Sequence, residues 1–314
     1  MKWKKRSAIY VLLAGLILSI NSCRPRQHSL TLLAIHRLTT FSSASAIEFT
    51  NNTLFVVGDD APTLLLLDSA YREIKRIPFF STPGNRIPKE LKPDLEASAL
   101  IHYSDRTYLY VFGSLSAPNR RAVYSFPLDS PQNFTKSNYN NKFSSEIKAW
   151  NIEGATLVND VLLLANRANN SYPYNHLVVE TYVPGGKVAN STAKTLKLSL
   201  PGGGKIKGVS GLHYVAEKDL LFFTASEEDT PDALQDGAIG NSYLGWIDHF
   251  SNKVYRKETG ADGFINLSAV HEAFRTQKIE SVCLEKMDSG TMILHLAADN
   301  DNGESTLFKV ALRL

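Results

Sequence analysis

Short apolar segments with alternating hydrophobic and polar positions recur along the chain, and each group of segments is laid out in the same way. The clearest group spans residues 208–248, where residues 209–215, 220–224 and 243–247 form three consecutive apolar runs. Three acidic residues and a glycine-rich stretch lie between the second run and the third. Runs of four to eight apolar or β-branched residues bounded by turn residues are typical of strands. The pattern predicts an antiparallel meander.

The same arrangement occurs five times, at intervals typical of repeated structural units. Each unit begins with a polar residue that is flanked by apolar ones, and these positions are 48, 57, 57 and 70 residues apart. A period of tens of residues indicates an array of supersecondary units. One four-stranded blade of a β-propeller, with loops of variable length, has this size. The five aligned positions are Glu48, Glu96, Glu153, Ser210 and Glu280.

We predict an all-β fold, a β-propeller of five four-stranded blades, or of six if the long insertions pair among themselves. The fifth unit ends at Leu314 with only three strands, and residues 30–38 form an apolar strand near the start of the chain. An exposed edge strand has unpaired backbone groups that can pair with another chain. We therefore expect the N-terminal strand to pair with the C-terminal blade and close the ring, which gives a single domain over residues 29–314.

The first 22 residues do not share the strand pattern. Four basic residues precede an apolar run over residues 8–20, as in a signal peptide. The run ends in Ile20-Asn21-Ser22-Cys23, which resembles the lipobox of bacterial lipoproteins, although Asn21 replaces the usual small residue. We predict a lipoprotein signal peptide over residues 1–22, lipidation of Cys23 and a tether over residues 23–28. A plain secretory signal and an uncleaved anchor are the alternatives.

This leader predicts the location of the protein and changes its charge. A lipid on Cys23 would anchor the chain to a bacterial membrane in the cell envelope, outside the cytoplasm. The chain has 34 Lys and Arg residues against 31 Asp and Glu residues, and four of the basic residues lie in the leader. Without them no concentrated basic face remains to neutralise phosphates, so we predict no nucleic-acid partner.

Several absences in the sequence exclude known classes of functional site. The cysteines are Cys23 and Cys283, and a lipid on the first would leave the second without a partner, so we predict no disulfide. The glycine fingerprints of dinucleotide-binding and phosphate-binding loops are missing, so we predict no nucleotide cofactor. Eight scattered histidines lack the spacing of a zinc protease, and Ser210 lacks the flanking glycine of a nucleophile elbow.

The repeated polar positions predict a site at one end of the propeller. In an antiparallel meander, the start of the first strand and the end of the second lie at the same end of the blade, so the side chains there should converge on one mouth of the channel. Converging carboxylates repel one another, and Ca²⁺ accepts carboxylate oxygens in variable number. The predicted metal ligands are Glu48, Glu96, Glu153, Glu280 and Asp299. The predicted ligand-binding residues beside them are Arg86, Lys92, Arg167, Glu228 and Asp229.

Several short motifs carry a resemblance to known proteins. They are the glutamate-containing blade starts, the run Ala-Ser-Glu-Glu-Asp-Thr at residues 225–230 and the run Ala-Asp-Asn-Asp at residues 298–301. Together they resemble an uncharacterised group of bacterial envelope lipoproteins with a β-propeller domain, which is distantly similar to phytase-like propellers. The latter resemblance implies that the glutamates hold Ca²⁺ and that Arg86, Lys92 and Arg167 hold phosphate. Lactonase-like propellers, which use a central divalent cation, are similar at the same level.

Two functions follow from these observations. The first is a lipid-anchored propeller that presents an acidic channel mouth to a metal, a small anionic ligand or an envelope protein, with no reaction assigned. The second is a Ca²⁺-dependent hydrolase of the phytase-like or lactonase-like kind. A purely structural role of the glutamates, which can cap the amides of neighbouring strand ends, is the third interpretation.

Overall fold

A computed structural model describes residues 28–140, 146–181, 194–229, 237–300 and 303–314. Within these residues, twenty-one strands form five sheets, and every sheet contains a four-stranded antiparallel meander. The prediction of an all-β propeller with five four-stranded blades is confirmed, and the described residues form no sixth blade. The predicted signal peptide and Cys23 lie outside the described residues.

The first strand of every blade is the innermost one, because these strands contact one another around the ring. Blade 1 consists of β2 (Ala44–Thr50), β3 (Thr53–Gly58), β4 (Thr63–Asp68) and β5 (Glu73–Pro78). Blade 2 consists of β6 (Leu95–Tyr103), β7 (Arg106–Gly113), β8 (Ala122–Pro127) and β9 (Thr135–Asn138). Blade 3 consists of β10 (Ile152–Val158), β11 (Val161–Asn166), β12 (Asn175–Thr181) and β13 (Lys194–Ser199).

In blades 4 and 5 the fourth strand does not directly follow the third strand in the sequence. Blade 4 consists of β14 (Lys207–Val215), β15 (Leu220–Glu228), β16 (Ile239–Asp248) and β18 (Gly263–Asn266). The intervening β17 (Glu258–Gly260) pairs in parallel with β13 and so extends blade 3 to five strands. Blade 5 consists of β19 (Ile279–Asp288), β20 (Thr291–Asp299), β21 (Ser305–Arg313) and β1 (Ser29–Leu38), which pairs antiparallel with β21 and is the outermost strand.

Helical structure is confined to short connections. Helix α1 (Leu267–Val270) begins at Asn266, whose side chain accepts a hydrogen bond from the backbone N–H of Ser268. None of the helices in the described part of the chain has the length and apolar composition needed to cross a membrane. Single 3-10 turns occur at Pro118–Arg120, Pro131–Asn133, Ala216–Lys218, Phe250–Asn252 and Glu272–Phe274.

Each interface between neighbouring blades holds its own apolar core. The largest lies between blades 4 and 5, where Trp246, Phe222 and Phe308 are almost completely buried. Burying a side chain of this size contributes about 1.5–3 kcal/mol. The core between blades 5 and 1 contains Cys283, whose thiol is free, and burial raises the pKa of that thiol.

The innermost strands approach one another closely at glycine positions. A Cβ atom on Gly211 of β14 would lie 2.7 Å from the Cα atom of Ser281 and 2.9 Å from the carbonyl oxygen of Glu280. Neither backbone group can move aside without disturbing blade 5, so a glycine is needed here. The innermost strands of blades 4 and 5 are therefore in direct backbone contact at this point.

Candidate functional site

A β-bulge on the innermost strand of each blade directs one residue toward the channel mouth. The register of the first two strands shifts by one residue in blades 2, 3 and 5, and the additional residues are Glu96, Glu153 and Glu280. A bulge leaves its extra residue unpaired in the ladder and re-aims its side chain. These three glutamates therefore occupy equivalent positions.

Glu48 does not belong to this set, in contrast to the alignment made from the sequence. The corresponding shift in blade 1 lies between Ala44 and Ala46, so its bulge residue is Ser45. Glu48 is three residues further along β2, which places it about 10 Å deeper in the channel at the usual rise per residue. There its Oε2 atom lies 3.6 Å from Nδ1 of His213 on blade 4. Burial raises the pKa of Glu48 more than the contact with His213 lowers it.

Two charged clusters occupy the mouth, and we name each after a central cation. The Lys92 cluster consists of Asp59, Asp94, Glu96, Lys92 and Arg120. The Lys92 Nζ atom lies 2.5 Å from Oδ2 of Asp59 and 2.9 Å from Oδ1 of Asp94. Arg120 Nη1 donates to the other oxygen of Asp94 at 2.8 Å. One oxygen each of Asp59, Asp94 and Glu96 lies within 4.8 Å of the other two.

Two carboxylates of the Lys92 cluster keep oxygens without a partner. Asp59 Oδ1 is completely buried and accepts no hydrogen bond. The residues that the structure describes give the Glu96 carboxyl neither a hydrogen bond nor an ion pair. The buried Asp59 oxygen is costly without a partner. The Glu96 carboxyl is half-buried among other carboxylates, so a proton or a cation would stabilise it.

The Arg167 cluster consists of Glu153, Glu228, Glu280, Arg167 and Lys278 and joins three blades. The Arg167 guanidinium donates from Nη2 to Glu228 at 2.7 Å, and its Nη1 lies 3.4 Å from one oxygen each of Glu153 and Glu280. Lys278 Nζ lies 2.9 Å from the second oxygen of Glu280 and 3.5 Å from Glu228. The carboxylates come from blades 3, 4 and 5, so this network also links the blades.

Each cluster has three carboxyl groups and two cations, and in each the pKa of a bulge glutamate is raised. Burial raises the pKa of Glu96 well above its usual range, and repulsion by Glu153 and Asp94 adds to the effect. Burial raises the pKa of Glu153 to about 7, although the nearby Arg167 opposes it. Burial likewise raises the pKa of Asp59 to about 6. One bound proton per cluster would therefore balance the charge.

Glu228 shows the opposite behaviour within the same network. Burial alone would raise its pKa, but attraction by Arg167 and Lys278 and a hydrogen bond from the Gly237 backbone N–H outweigh burial. The net result is a lowered pKa. Glu228 is thus the permanent anion of the Arg167 cluster, and Glu153 is the carboxyl that takes up a proton.

The remaining predicted residues lie beside the clusters rather than in them. Arg86 is half exposed, and its Nη2 atom lies 2.5 Å from Oδ2 of Asp60. The pKa of Arg86 is raised, mainly by this hydrogen bond and to a smaller extent by Asp299, which is buried at the end of β20. Asp229 is exposed and accepts a hydrogen bond from Asn170. The structure therefore groups Lys92 with Glu96, and Arg167 and Glu228 with Glu153 and Glu280.

The sequence contained a signal for site residues that the prediction missed. The residue two positions before the bulge glutamate is Asp94 in blade 2, Asn151 in blade 3 and Lys278 in blade 5. Asn151 donates to Glu153 at 2.6 Å, and Lys278 pairs with Glu280. In blade 4 the same position is Gly208, where a Cβ atom would lie 2.6 Å from the Arg167 side chain. This position thus either contributes a polar group to the mouth or leaves room for one.

Comparison with known proteins identifies a family and a fold. The sequence matches a family described as "Family of unknown function (DUF6929)" over residues 40–312. The crystal structure of Myxococcus xanthus glutaminyl cyclase is similar, with a TM-score of 0.51 and 14% identity, over 91% of this chain and 97% of that chain. At such identity the likeness concerns the fold alone. A comparison with curated proteins finds no match.

Two other solved structures of bacterial proteins are less similar. The PQQ-bound aldose sugar dehydrogenase from Streptomyces coelicolor has a TM-score of 0.43 and 12% identity, over 92% of this chain and 99% of that chain. Virginiamycin B lyase from Staphylococcus aureus has a TM-score of 0.37 and 11% identity, over 90% of this chain and 99% of that chain.

Proposed function

We propose that this chain, which belongs to the family of unknown function DUF6929, is a binding propeller that holds a cation at its channel mouth. The observation that carries the proposal is the Glu96 carboxyl. It is half-buried beside Asp59 and Asp94, and the described residues give it no hydrogen bond and no ion pair. A carboxyl group in such a position favours either a proton or a positively charged ligand.

The donor set fits one side of a Ca²⁺ site. Calcium takes six to eight oxygen ligands in flexible geometry, and several of them are often water or ligand oxygens. Glu96 offers two free oxygens, and Asp59 Oδ1 is a buried oxygen without a partner. Lys92 Nζ contacts Asp59 and Asp94 from the other side and already compensates part of their charge. We infer that Glu96 and Asp59 would hold the ion and that a small anionic ligand or an envelope protein would complete its coordination.

The ion pairs that the basic residues already make favour a cation over a directly bound phosphate as the ligand of the mouth. Arg167 and Lys92 each contact at least two carboxylates, and little of either side chain is exposed. A phosphate would have to compete with these carboxylates for the same N–H donors. This favours the binding function over the hydrolase alternative, in which Arg86, Lys92 and Arg167 would hold phosphate.

Protons and the cation would compete for the same carboxyl groups. Because the pKa of Glu96 lies well above its usual range, the carboxyl is protonated in acid and must lose its proton when a cation binds. The affinity for Ca²⁺ should therefore rise with pH, and binding should release protons.

The test is a calcium titration of the purified protein at about pH 5 and pH 8, with thermal unfolding as the readout. For a dissociation constant of about 0.1–1 mM, typical of extracellular calcium modules, about 10 mM Ca²⁺ should stabilise the protein by about 1.4–2.7 kcal/mol. That corresponds to a shift of a few degrees in Tm at pH 8, and little or no shift is expected at pH 5. Calorimetry in two buffers of different ionisation enthalpy would measure the protons released.

Glu96→Gln distinguishes a binding role from a structural one. An amide mimics the protonated carboxyl, so this variant should lose the calcium response while remaining as stable as the wild type without calcium. The matched control is Glu217→Gln on an exposed turn, which should keep the full response. Loss of stability in calcium-free Glu96→Gln would indicate a structural glutamate, and an unchanged calcium response would contradict the proposal.

The sequence further supports a lipid-anchored location in the cell envelope. The basic leader, the apolar run and the lipobox-like tetrapeptide at residues 20–23 are together typical of bacterial lipoproteins. The propeller would then face the compartment outside the cytoplasm, with the membrane as its partner through Cys23. Cells that incorporate labelled palmitate into the wild-type protein should not label Cys23→Ala. Labelling of the variant would refute the anchor.

A further inference from the structure

A second cavity lies on the same side of the ring as the channel mouth but further from the axis. It has a volume of about 280 Å³ and lies between the end of β13, the loop at residues 200–206 and the segment before β12. Strand β12 begins and β13 ends at the level of Asn166, where β11 reaches the mouth, and this places the cavity on that side. The volume is just below the range usual for ligand pockets, about 300–1,000 Å³.

Asn175 holds the walls of this cavity together. Its side-chain oxygen accepts hydrogen bonds from the backbone N–H groups of Ala168 at 2.9 Å and Val209 at 2.8 Å. Its Nδ2 atom donates to the carbonyl oxygen of Lys207 at 2.7 Å. These three bonds connect blade 3 to the start of blade 4 through a buried side chain. The backbone segments around Ala168, Lys207 and Val209, which lie on one side of the cavity, are therefore held in place by hydrogen bonds.

The lining carries a net positive charge. Lys197, Lys205 and Lys207 line the cavity, and its lining contains no Asp or Glu. Lys197 lies 3.6 Å from Glu258, but both side chains are about half exposed, and exposed pairs of this kind contribute little. Lys207 Nζ is 3.8 Å from Glu227, and the described residues offer Lys205 no carboxylate. The cavity thus attracts an anion.

An aromatic ring and apolar side chains complete the lining. Tyr174 is half exposed, and the Tyr172 ring packs against it edge to face with 5.6 Å between centroids. Lys197 Nζ lies 5.7 Å from the centre of the Tyr174 ring. Leu198 and Ile206 contribute apolar surface. An oriented aromatic ring next to ammonium groups suits a ligand that has both a flat apolar face and a negative charge.

We propose that this cavity binds a small anionic saccharide, a sugar that carries a phosphate or a carboxylate. Tyr174 packs against the C–H face of the sugar ring, and Lys197 and Lys205 contact the charged group. The site is separate from the Glu96 carboxyl and does not depend on a cation at the mouth.

The test uses saturation-transfer NMR on the purified full-length protein with glucose 6-phosphate, galacturonic acid and glucose as probes. Inorganic phosphate has no C–H protons, so its binding is measured by displacement of glucose 6-phosphate. The two charged sugars should bind, and their affinity should fall several-fold between low salt and about 0.2 M salt, because salt screens exposed charges. Glucose and inorganic phosphate should each bind more weakly, since each lacks one half of the recognised chemistry. The affinity for glucose 6-phosphate, compared with that for galacturonic acid, shows whether the site prefers a phosphate or a carboxylate.

Four variants assign the contacts to individual side chains. Lys197→Gln and Lys205→Gln should each weaken glucose 6-phosphate binding roughly two- to five-fold, the range expected for exposed charge contacts. Tyr174→Ala should weaken the charged sugars but leave inorganic phosphate unchanged, and Tyr174→Phe should retain binding. Lys218→Gln, on an exposed turn elsewhere in blade 4, is the matched control and should change nothing.

Three results would overturn the proposal. Absence of binding by both charged sugars would exclude a saccharide site of this kind. Equal binding of inorganic phosphate and glucose 6-phosphate, with no effect of Tyr174→Ala, would show that the sugar ring is not recognised. Loss of binding in Glu96→Gln would place the ligand at the channel mouth instead of in this cavity.

Discussion

Replacing Arg167 by glutamine should destabilise the propeller more strongly as the pH rises. The substitution removes a guanidinium that contacts carboxylates from blades 3, 4 and 5. Lys278 would remain as the nearby cation, and Glu153, Glu228 and Glu280 would share it. Glutamine can keep one of the hydrogen bonds but none of the charge.

The magnitude follows from the three contacts. Each oxygen lies 2.7–3.4 Å from a guanidinium nitrogen, and at an effective dielectric constant near 20 two unit charges 4 Å apart attract by about 4 kcal/mol. Most of this gain is offset by the cost of taking four charged groups out of water. Removing one partner of a buried ion pair typically costs about 3–5 kcal/mol, because the other partner is left unpaired. We expect this cost for Arg167→Gln at about pH 8.

The dependence on pH comes from the raised pKa of Glu153. The folded-state pKa of Glu153, about 7, exceeds the ordinary value of 4.5. The folded protein therefore binds this proton more tightly than the unfolded chain does. The corresponding stabilisation, about 3 kcal/mol at 1.36 kcal/mol per unit, is present below about pH 4.5 and is lost as the pH rises through 7. Without Arg167 the pKa would rise further. The variant should therefore lose less stability at pH 5 than at pH 8, because Glu153 is protonated at pH 5.

Urea unfolding of the wild type and of Arg167→Gln at about pH 5, 7 and 8.5 measures these differences. The matched control is Arg72→Gln, which removes an ion pair on the exposed edge of blade 1 and should leave the unfolding free energy almost unchanged at each pH. A destabilisation that is the same at pH 5 and pH 8.5 would refute the electrostatic reasoning. So would a loss below about 1 kcal/mol at pH 8.5.

Two further substitutions test the packing of the ring. Gly211→Ala should cost about 1–3 kcal/mol or more by overpacking against the Ser281 backbone, whereas Gly203→Ala, in an open loop, should cost almost nothing in the same thermal unfolding assay. Tyr71→Phe should cost about 1–3 kcal/mol in urea unfolding, because its hydroxyl lies 2.8 Å from Nδ1 of the fully buried His295. A cost for Gly203→Ala equal to that of Gly211→Ala, or none for Tyr71→Phe, would contradict these assignments.

The architecture was predictable because its signals are local and repeated. Apolar runs bounded by turn residues mark individual strands, and their recurrence at blade-sized intervals indicates a propeller. The fourth strand of blade 4 was harder to predict, since residues 258–260 leave their own blade and pair with β13 instead. The pairing of residues 258–260 with β13 depends on how blades 3 and 4 pack against each other, and the sequence of either blade does not reveal this.

The site was only partly predictable, for a related reason. Glu96, Glu153 and Glu280 stand out because each follows an apolar residue at the start of a blade. Glu48 follows the same apolar residue type but lies beyond the bulge, and a bulge is visible only in the pairing of two strands. Arg120 was not among the predicted ligand-binding residues, because its role depends on a contact with Asp94, 26 residues earlier in the chain. Lipidation of Cys23 and the link to phytase-like propellers stay predictions.

The two serines at the bulge positions explain why the mouth is not a ring of five glutamates. Ser45 donates to the carbonyl oxygen of Leu95 in blade 2, and Ser210 donates to the carbonyl oxygen of Ile279 in blade 5. Each hydroxyl thus joins its blade to the start of the next and contributes no charge. A fourth or fifth carboxyl would have to be buried among groups that already hold one excess negative charge per cluster, and its pKa would rise until it was protonated. The arrangement therefore divides the bulge positions into two that join neighbouring blades and three that supply the acidic groups, of which Glu96 alone lacks a partner among the described residues.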